Sequence, residues 1–413
     1  MFKKLVSLEE AKQTLSRHFS PKSVGTETVE LSNAFNRVLA KDIIAPISVP
    51  PFSRATVDGY AVKAEDTFGA EEDKPISLTL CGRVNVGEQP KIRVKRGTAV
   101  EIATGAPLPE GADAVIMQEH TNRKENLVLV YNSVTKNENV LKAGADIQKG
   151  ETILKDGQIL GPSQIGVLAA LGFKKIQAYK QPEVAIISTG AEITEPGKPL
   201  SPSKIYDVNA YTLSAAVQEC GGKPKIMGII PDEPTLIENC LRSALKFADM
   251  VITSGGVSVG SKDFVPKTLS TLDKPGIIVC GIAVKPGKPT TIAIIKGKPV
   301  FSLPGHPTSS LIMFHLLVRP IIMRMAGRLE EHAFFTKATA ATKMFSAKGR
   351  RTFVMVNIIQ DKSGKLFAKP VPSGESGAIT TIAKADGFVE IPETQQFIDA
   401  GENVLVHLFH KLG

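Results

Sequence analysis

The chain has 413 residues, 42% of them hydrophobic, and a formal charge of +9, which gives material for several cores and, by length alone, about three domains. Its lysines and arginines are scattered, with pairs at 3–4, 174–175 and 350–351, and there is no tryptophan, so neither a basic block nor a stacking platform for nucleic acid is present. The longest apolar stretch, 311–325, is broken by His315, Arg319, Pro320 and Arg324, which argues against a membrane partner, and the opening MFKKLVSLEEAK lacks the cleavage site of a signal peptide, so a cytoplasmic location is expected.

Ser7 and Glu10 form a capping box ahead of an amphipathic helix over 8–18. Residues 26–44 read as a short strand followed by a helix over 33–39. The stretch 45–62 then passes through Pro46, Pro50 and Pro51 to the Asp-Gly turn of VDGYAV, a rigid rim. From 75 to 139, short alternating segments separated by Gly and Asn-Glu turns suggest a small β-rich insert. Residues 140–182 return to turns and a short helix begun by Pro162 and closed by Gly172. The cysteines at 81, 220, 240 and 280 have no metal-site or disulfide spacing and read as small apolar residues.

At Glu183 the pattern becomes β-loop-α. Strands over 183–190, 226–230 and 250–253 alternate with helices over 209–220 and 235–247, which gives a doubly wound, mostly parallel sheet. Neither GxGxxG nor GxxxxGK[ST] occurs, so a dinucleotide or P-loop reading is unsupported. Ligands of such sheets lie at the carboxyl ends of the strands. There the chain places Ser188, Thr189 and Gly190, then Ser254, Gly255 and Gly256, and then the LPGHPTSS turn. Thr308, Ser309 and Ser310 are expected to cap an anion-facing helix over 311–318. Between these loops, KPGKP holds Lys285 and Lys288 among prolines and a glycine. Glu192, Asp207, Asp232 and Asp263 fall on the same rim, and oxygen donors of this kind suit magnesium. Residues 333–413 alternate again, as a separate small β-barrel.

The pieces TSGGVSVGSKD (253–263), KPGKP (285–289), LPGHPTS (303–309), VDGYAV (57–62), IATGAPLPEGADAVIMQE (102–119) and ISTGAEI (187–193) occur in the order of one family. The chain resembles the MoeA/gephyrin family, the molybdopterin molybdenumtransferases, over essentially its whole length. The resemblance implies an α/β multidomain fold: an N-terminal helix on the α/β domain (1–25), a brace domain (26–50 and 140–181), an inserted β-rich domain (51–139), a MogA/MoaB-like molybdopterin-binding α/β domain (182–328) and a C-terminal β-barrel (329–413).

It also implies insertion of molybdate into adenylated molybdopterin with Mg2+-dependent release of AMP, in a homodimer whose inserted domain leans over the partner's cleft. Asp58 and Thr104 would face that cleft, joined by Glu192, Asp232, Asp263, Lys285 and Lys288. Glu192, Asp232 and Asp263 would hold the metal. Ser188, Thr189, Gly190, Ser254, Gly255, Gly256, Ser258, Gly260, Pro304, Gly305, Pro307, Ser309, Arg350 and Ser376 would contact the substrates. Contacts with the adenylyltransferase or with acceptor enzymes are further expected partners. The sequence departs from the family pattern at Ala191, Gly281, His306 and Met355. The open alternatives are a tungstate-inserting paralogue, a molybdopterin adenylyltransferase and a non-catalytic scaffold.

Overall fold

Three strands made of buried apolar runs, Glu183–Thr189, Met250–Ser254 and Lys298–Leu303, form the centre of a six-stranded sheet. The computed structural model describes residues 5–256, 264–328, 335–371 and 379–409. The sheet runs in the order Lys223–Ile230, Glu183–Thr189, Met250–Ser254, Lys298–Leu303, Thr291–Ile295, Gly276–Cys280, and its first four strands are parallel. Lys296 and Gly297 both take left-handed φ values, 51° and 73°. That is the geometry of a tight hairpin turn, and it sets Thr291–Ile295 antiparallel to Lys298–Leu303.

Alternation along the strands divides the core in two. Val184 and Ile186 pack with Leu213 and Val217 of helix Asn209–Glu219 and with Ile312 of helix Pro307–Met313. Ala185 and Ile187 face the other way, onto helices Pro234–Phe247 and Phe264–Leu272. Burying a side chain such as Phe301, which has no exposed surface, contributes about 1.5–3 kcal/mol.

The first of these cores extends beyond the α/β segment. Leu8, Ala11 and Leu15 of helix Leu8–His18 belong to it, as do Phe353, Met355, Phe388 and Phe409 from the C-terminal region. That region is a closed barrel in which Arg351–Gln360, Leu366–Pro370, Phe335–Ala340, Asn403–Leu408 and Gly387–Ile391 pair in turn and the last returns to the first. The expectation of a barrel holds, but not of a separate one. Its inner core is its own, while one outer face is continuous with the α/β core. Val284–Lys285 is also added to Arg351–Gln360 as a parallel strand.

The insert is a second six-stranded sheet in the order Ala114–Met117, Gly59–Val62, Thr98–Ile102, Ile76–Val84, Leu127–Val130, Thr121–Lys124. Gly59–Val62 is fully buried, so most of VDGYAV is a central strand rather than a rim, and only its first residues form the turn. The brace is made of short antiparallel pairs, Thr26–Glu30 with Lys175–Tyr179 and Ile43–Ile44 with Thr152–Leu154. The helix expected over 33–39 is absent. Leu31–Asn33 makes a single 3-10 turn, after which Val38 and Leu39 bridge to Ile159 and Ala178. Leu39 gains complete burial there, and tertiary packing overrides the helical propensity of the segment.

Candidate functional site

The strand-end loops of the large sheet touch one another. Ser188 lies opposite Ser254, and Ser254 opposite Leu303, so three loops leave the sheet side by side. Gly255 N donates to Leu303 O at 3.3 Å. A Cβ on Gly255 would sit 2.2 Å from Thr189 O, and one on Gly256 would sit 2.6 Å from Thr189 Oγ1. Both glycines have positive φ, 92° and 63°. Glycine is therefore required twice over, by conformation and by the approach of the neighbouring strand. Gly305 lies 3.7 Å from Gly255 Cα by the same measure, which brings the LPGHPTSS turn into the group.

Asn209, which the motifs did not single out, fastens these loops. From the first turn of its helix its Nδ2 donates to Ser254 Oγ and to Gly305 O, both at 2.7 Å, while the residue is 7% exposed. Its Oδ1 is buried without a partner, as are Ser188 Oγ and Thr189 Oγ1. Three orphaned polar atoms on one edge of a sheet mark the place where a polar ligand would complete the bonding. The signal in the sequence was the polar YDVN run before an apolar helix. Asp207 in that run is buried just ahead of the helix, its Oδ1 accepting from Ala210 N at 3.0 Å.

Glu192 and Asp232 follow adjacent strands, whose ends pair as Thr189 with Ile230. Both Glu192 carboxylate oxygens come within 2.8 Å of the point a Cβ on Gly190 would occupy, so the glycine makes room for the acid to fold over the strand end. Lys204 Nζ donates to Ala191 O, and Ile205 N to Glu192 O at 2.9 Å. The loop is thus set by backbone carbonyls, and alanine at 191 leaves it intact. Among the described residues no three His, Cys, Asp or Glu side chains gather closely enough for an all-protein metal cage. Two hard carboxylates on neighbouring strand ends nonetheless suit Mg2+, which keeps several waters and shares its ligation with substrate phosphates. Asp263, Ser258, Gly260 and Ser376 lie outside the described residues.

The KPGKP loop packs against the helix that follows LPGH. Gly287 has φ 115° and lies over Met313, and Thr290 closes the loop through Oγ1 to Gly287 O at 2.7 Å. Lys285 is exposed and pairs in register with Thr352, two residues from Arg350. The helix beyond begins at Pro307, not at residue 311, and His306 occupies the cap position without a side-chain cap bond. Thr308, Ser309 and Ser310 are consequently inside the first turn and buried, and the expectation that they cap the helix does not hold. Met355, where the family pattern has a second arginine, is an apolar member of the shared core.

Asp58 and Thr104 are on the inserted sheet. Thr104 donates its backbone N and its Oγ1 to the same oxygen, Asp58 Oδ1, at 2.7 and 3.0 Å. These bonds, the backbone one foremost, hold the carboxyl below its ordinary range. Both residues are exposed, and their sheet rests on cores distinct from those of the α/β domain. The structure therefore assembles two groups: the strand-end loops with KPGKP, and the Asp58–Thr104 pair.

A doubly wound sheet with tightly apposed glycine and hydroxyl loops, joined to a closed barrel and an inserted sheet, defines a multidomain α/β protein, and sheets of this kind take their ligands at the carboxyl edge. Residues 6–172 match the MoeA N-terminal region (domain I and II), 185–324 the probable molybdopterin binding domain, and 337–409 the MoeA C-terminal region (domain IV). The chain is 33% identical to the molybdopterin molybdenumtransferase of Haemophilus influenzae over 99% of its own length and 100% of that protein's. It is 33% identical to the molybdopterin molybdenumtransferase of a Nostoc species over 92% of its length and 88% of that protein's. A molybdopterin biosynthesis MoeA protein from Pyrococcus horikosii superposes with a TM-score of 0.85 at 43% identity, covering 99% of this chain and 100% of that one. The chain belongs to the MoeA/gephyrin family of molybdopterin molybdenumtransferases.

Proposed function

We propose that this chain is a molybdopterin molybdenumtransferase, acting in molybdenum cofactor biosynthesis on molybdopterin and a molybdate-type oxyanion. The observation that carries the reading from the chain's own atoms is the cluster of orphaned buried polar atoms at Ser188, Thr189 and Asn209, beside loops whose glycines bring backbone to backbone. Such an edge suits a polar, phosphate-bearing substrate.

In the finer reading the substrate is adenylated molybdopterin and AMP is released. The Ser188–Gly190 and Ser254–Gly256 loops bind and orient the pterin phosphate side. Lys285, Lys288 and Arg350 supply positive charge for the oxyanion, and charged hydrogen bonds of that kind are short and strong. Pro304, Gly305, Pro307 and Ser309 shape the wall between them. Glu192 and Asp232 would hold Mg2+, which when bound polarises the phosphoanhydride and offsets its charge. Holding oxyanion and dithiolene in fixed geometry turns an encounter of two reactants into a local step. Asp58 and Thr104, on the separate sheet, are assigned to a composite site in a homodimer.

None of the helices in the described residues is long and apolar enough to cross a membrane. Of the alternatives, the adenylyltransferase reading accounts for residues 182–328 alone, whereas the relatives carrying the transferase name match across nearly the whole chain.

The test is a reconstitution with purified protein, adenylated molybdopterin, molybdate and Mg2+. AMP release coupled to formation of active cofactor is expected. Formation of the adenylate from molybdopterin and ATP, with no insertion of molybdenum, would replace the reading by the adenylyltransferase one.

A further inference from the structure

Three segments distant in sequence interlock beside the KPGKP loop. The first is the N-terminal stretch. Val6 N donates to Gly281 O at 3.3 Å, Ala283 N donates to Val6 O at 2.8 Å, and Val6 bridges Ile282 in parallel. The second is the loop's own leading strand, Val284–Lys285, which runs parallel to the barrel with Val284 opposite Arg351 and Lys285 opposite Thr352. The third is the barrel residue Arg351. Its Nη1 meets Glu9 of the first helix and lies 3.2 Å from Glu390, and its Nε donates to Glu393 at 3.2 Å. The guanidinium is mostly covered, with 17% of its side chain exposed.

We propose that Arg351 is a positioning residue for the oxyanion site, tying the first helix, the barrel and the KPGKP strand into one rigid frame. The inference rests on the reading of Lys285 as an oxyanion contact. Arg351 touches no substrate itself. Its backbone is the template on which Val284 and Lys285 are laid, and its side chain anchors that template to two other elements. A guanidinium presents five donors in a rigid planar fork and can hold several carboxylates in one fixed geometry, whereas lysine offers a compact point charge on a flexible stem. A network of pairs about one partly buried group is worth more than a single exposed pair. The arrangement also gives the capped helix Leu8–His18 a role, since Glu9 in its first turn reaches the frame while Leu8, Ala11 and Leu15 fix the helix in the shared core. Arg350, the adjacent residue, is carried by the same strand start.

The experiment compares wild type, Lys285→Ala, Arg351→Gln, Arg351→Lys and Glu9→Gln in the reconstituted reaction, titrating molybdate at saturating adenylate and Mg2+. For Arg351→Gln, the half-saturating molybdate concentration is expected to rise about three- to tenfold. Its rate at saturating molybdate should stay within about twofold of wild type, because the frame sets where the lysine stands and not the later chemistry. Arg351→Lys should restore little, and Glu9→Gln should give a smaller rise in the same direction. If Arg351→Gln does not fold, the Glu9→Gln titration decides the matter. Lower thermal stability without a molybdate shift, in a set where Lys285→Ala does shift, would overturn the positioning role alone. No shift in Lys285→Ala would overturn the oxyanion reading and this inference with it.

Discussion

Met313 Sδ lies 2.4 Å from the point a Cβ on Gly287 would occupy. The KPGKP loop therefore rests directly on the helix that follows LPGH, and two stretches twenty-odd residues apart form one wall of the site. Gly287 also has φ 115°, a region that side chains avoid. Gly287→Ala should thus cost at least about 2 kcal/mol, from overpacking and strain together. Met313→Ala alone should cost about 2–5 kcal/mol by leaving a cavity. In the double variant the two costs should fall short of their sum by about 1 kcal/mol or more, since the smaller side chain admits the new methyl. Simple additivity in urea denaturation would show that the contact does not exist in solution.

How much of this was legible in the sequence follows from the range of the forces involved. The α/β alternation, the capping box at Ser7 and Glu10, and the closed barrel's strands are local patterns, and each appears where its pattern predicts. The glycine loops were legible because only glycine accepts the backbone approach at 255 and 256. The helix over 33–39 failed because Leu39 is buried against residues about 140 positions away. The cap at Ser309 failed because Pro307, fit for a first helical turn, starts the helix earlier than the apolar run. Asn209 was missed because its meaning lies in Ser254 and Gly305, which no spacing rule connects to it. The shared core of barrel and α/β segments is likewise a long-range property.

Asn209→Ala removes the donor that joins Ser254 and Gly305, and leaves a buried hydroxyl and a carbonyl short of a bond. The expected destabilisation is about 1–3 kcal/mol. Loosening of the loops should also weaken adenylate binding, with molybdate half-saturation at saturating adenylate unchanged. Isothermal titration with the adenylate, beside a thermal melt, checks both. Lost stability with unaltered adenylate affinity would make Asn209 a packing residue only.

His315 gives a pH dependence. Its ring lies 4.8 Å from that of Phe409 and 6.0 Å from that of Phe314, within a π-helical turn over Phe314–Val318. Burial first, and Arg319 second, push its pKa from 6.5 down to about 3. A depressed histidine contributes stability in full above the unfolded value of 6.5 and loses it as pH falls toward and through the folded value. The wild-type melting temperature should therefore drop between pH 6.5 and 4, and His315→Phe should drop less steeply. The residue keeps part of its surface, so water shallows the slope relative to full burial. His407, stacked on Phe388 at 4.9 Å and depressed by burial and then by Lys12, supplies part of the remaining slope, which His407→Gln should reduce. Parallel melting profiles for His315→Phe and wild type would exclude the buried neutral ring.

The Asp58–Thr104 pair tests the assembly. Both donors of Thr104 converge on one oxygen of Asp58, and these bonds hold its carboxyl below the ordinary range. Among the described residues both of these bonds fall on that one oxygen, and Asp58 is exposed at the end of the inserted sheet's strands. In a composite homodimer, a site takes Asp58 from one subunit and Lys285 from the other. A hybrid of an Asp58→Ala subunit with a Lys285→Ala subunit would then contain one site with both changes and one with neither. Random reassortment of equal amounts makes about half the dimers hybrid, so about a quarter of wild-type activity should return on mixing two nearly inactive variants. If each site used both residues from a single chain, every site in the mixture would carry one change and mixing would return nothing. The measurement is the rate of cofactor formation before and after subunit exchange, with sedimentation run in parallel. A fully active monomer, or an exchanged mixture no more active than the average of its parents, would place Asp58 outside the partner's cleft.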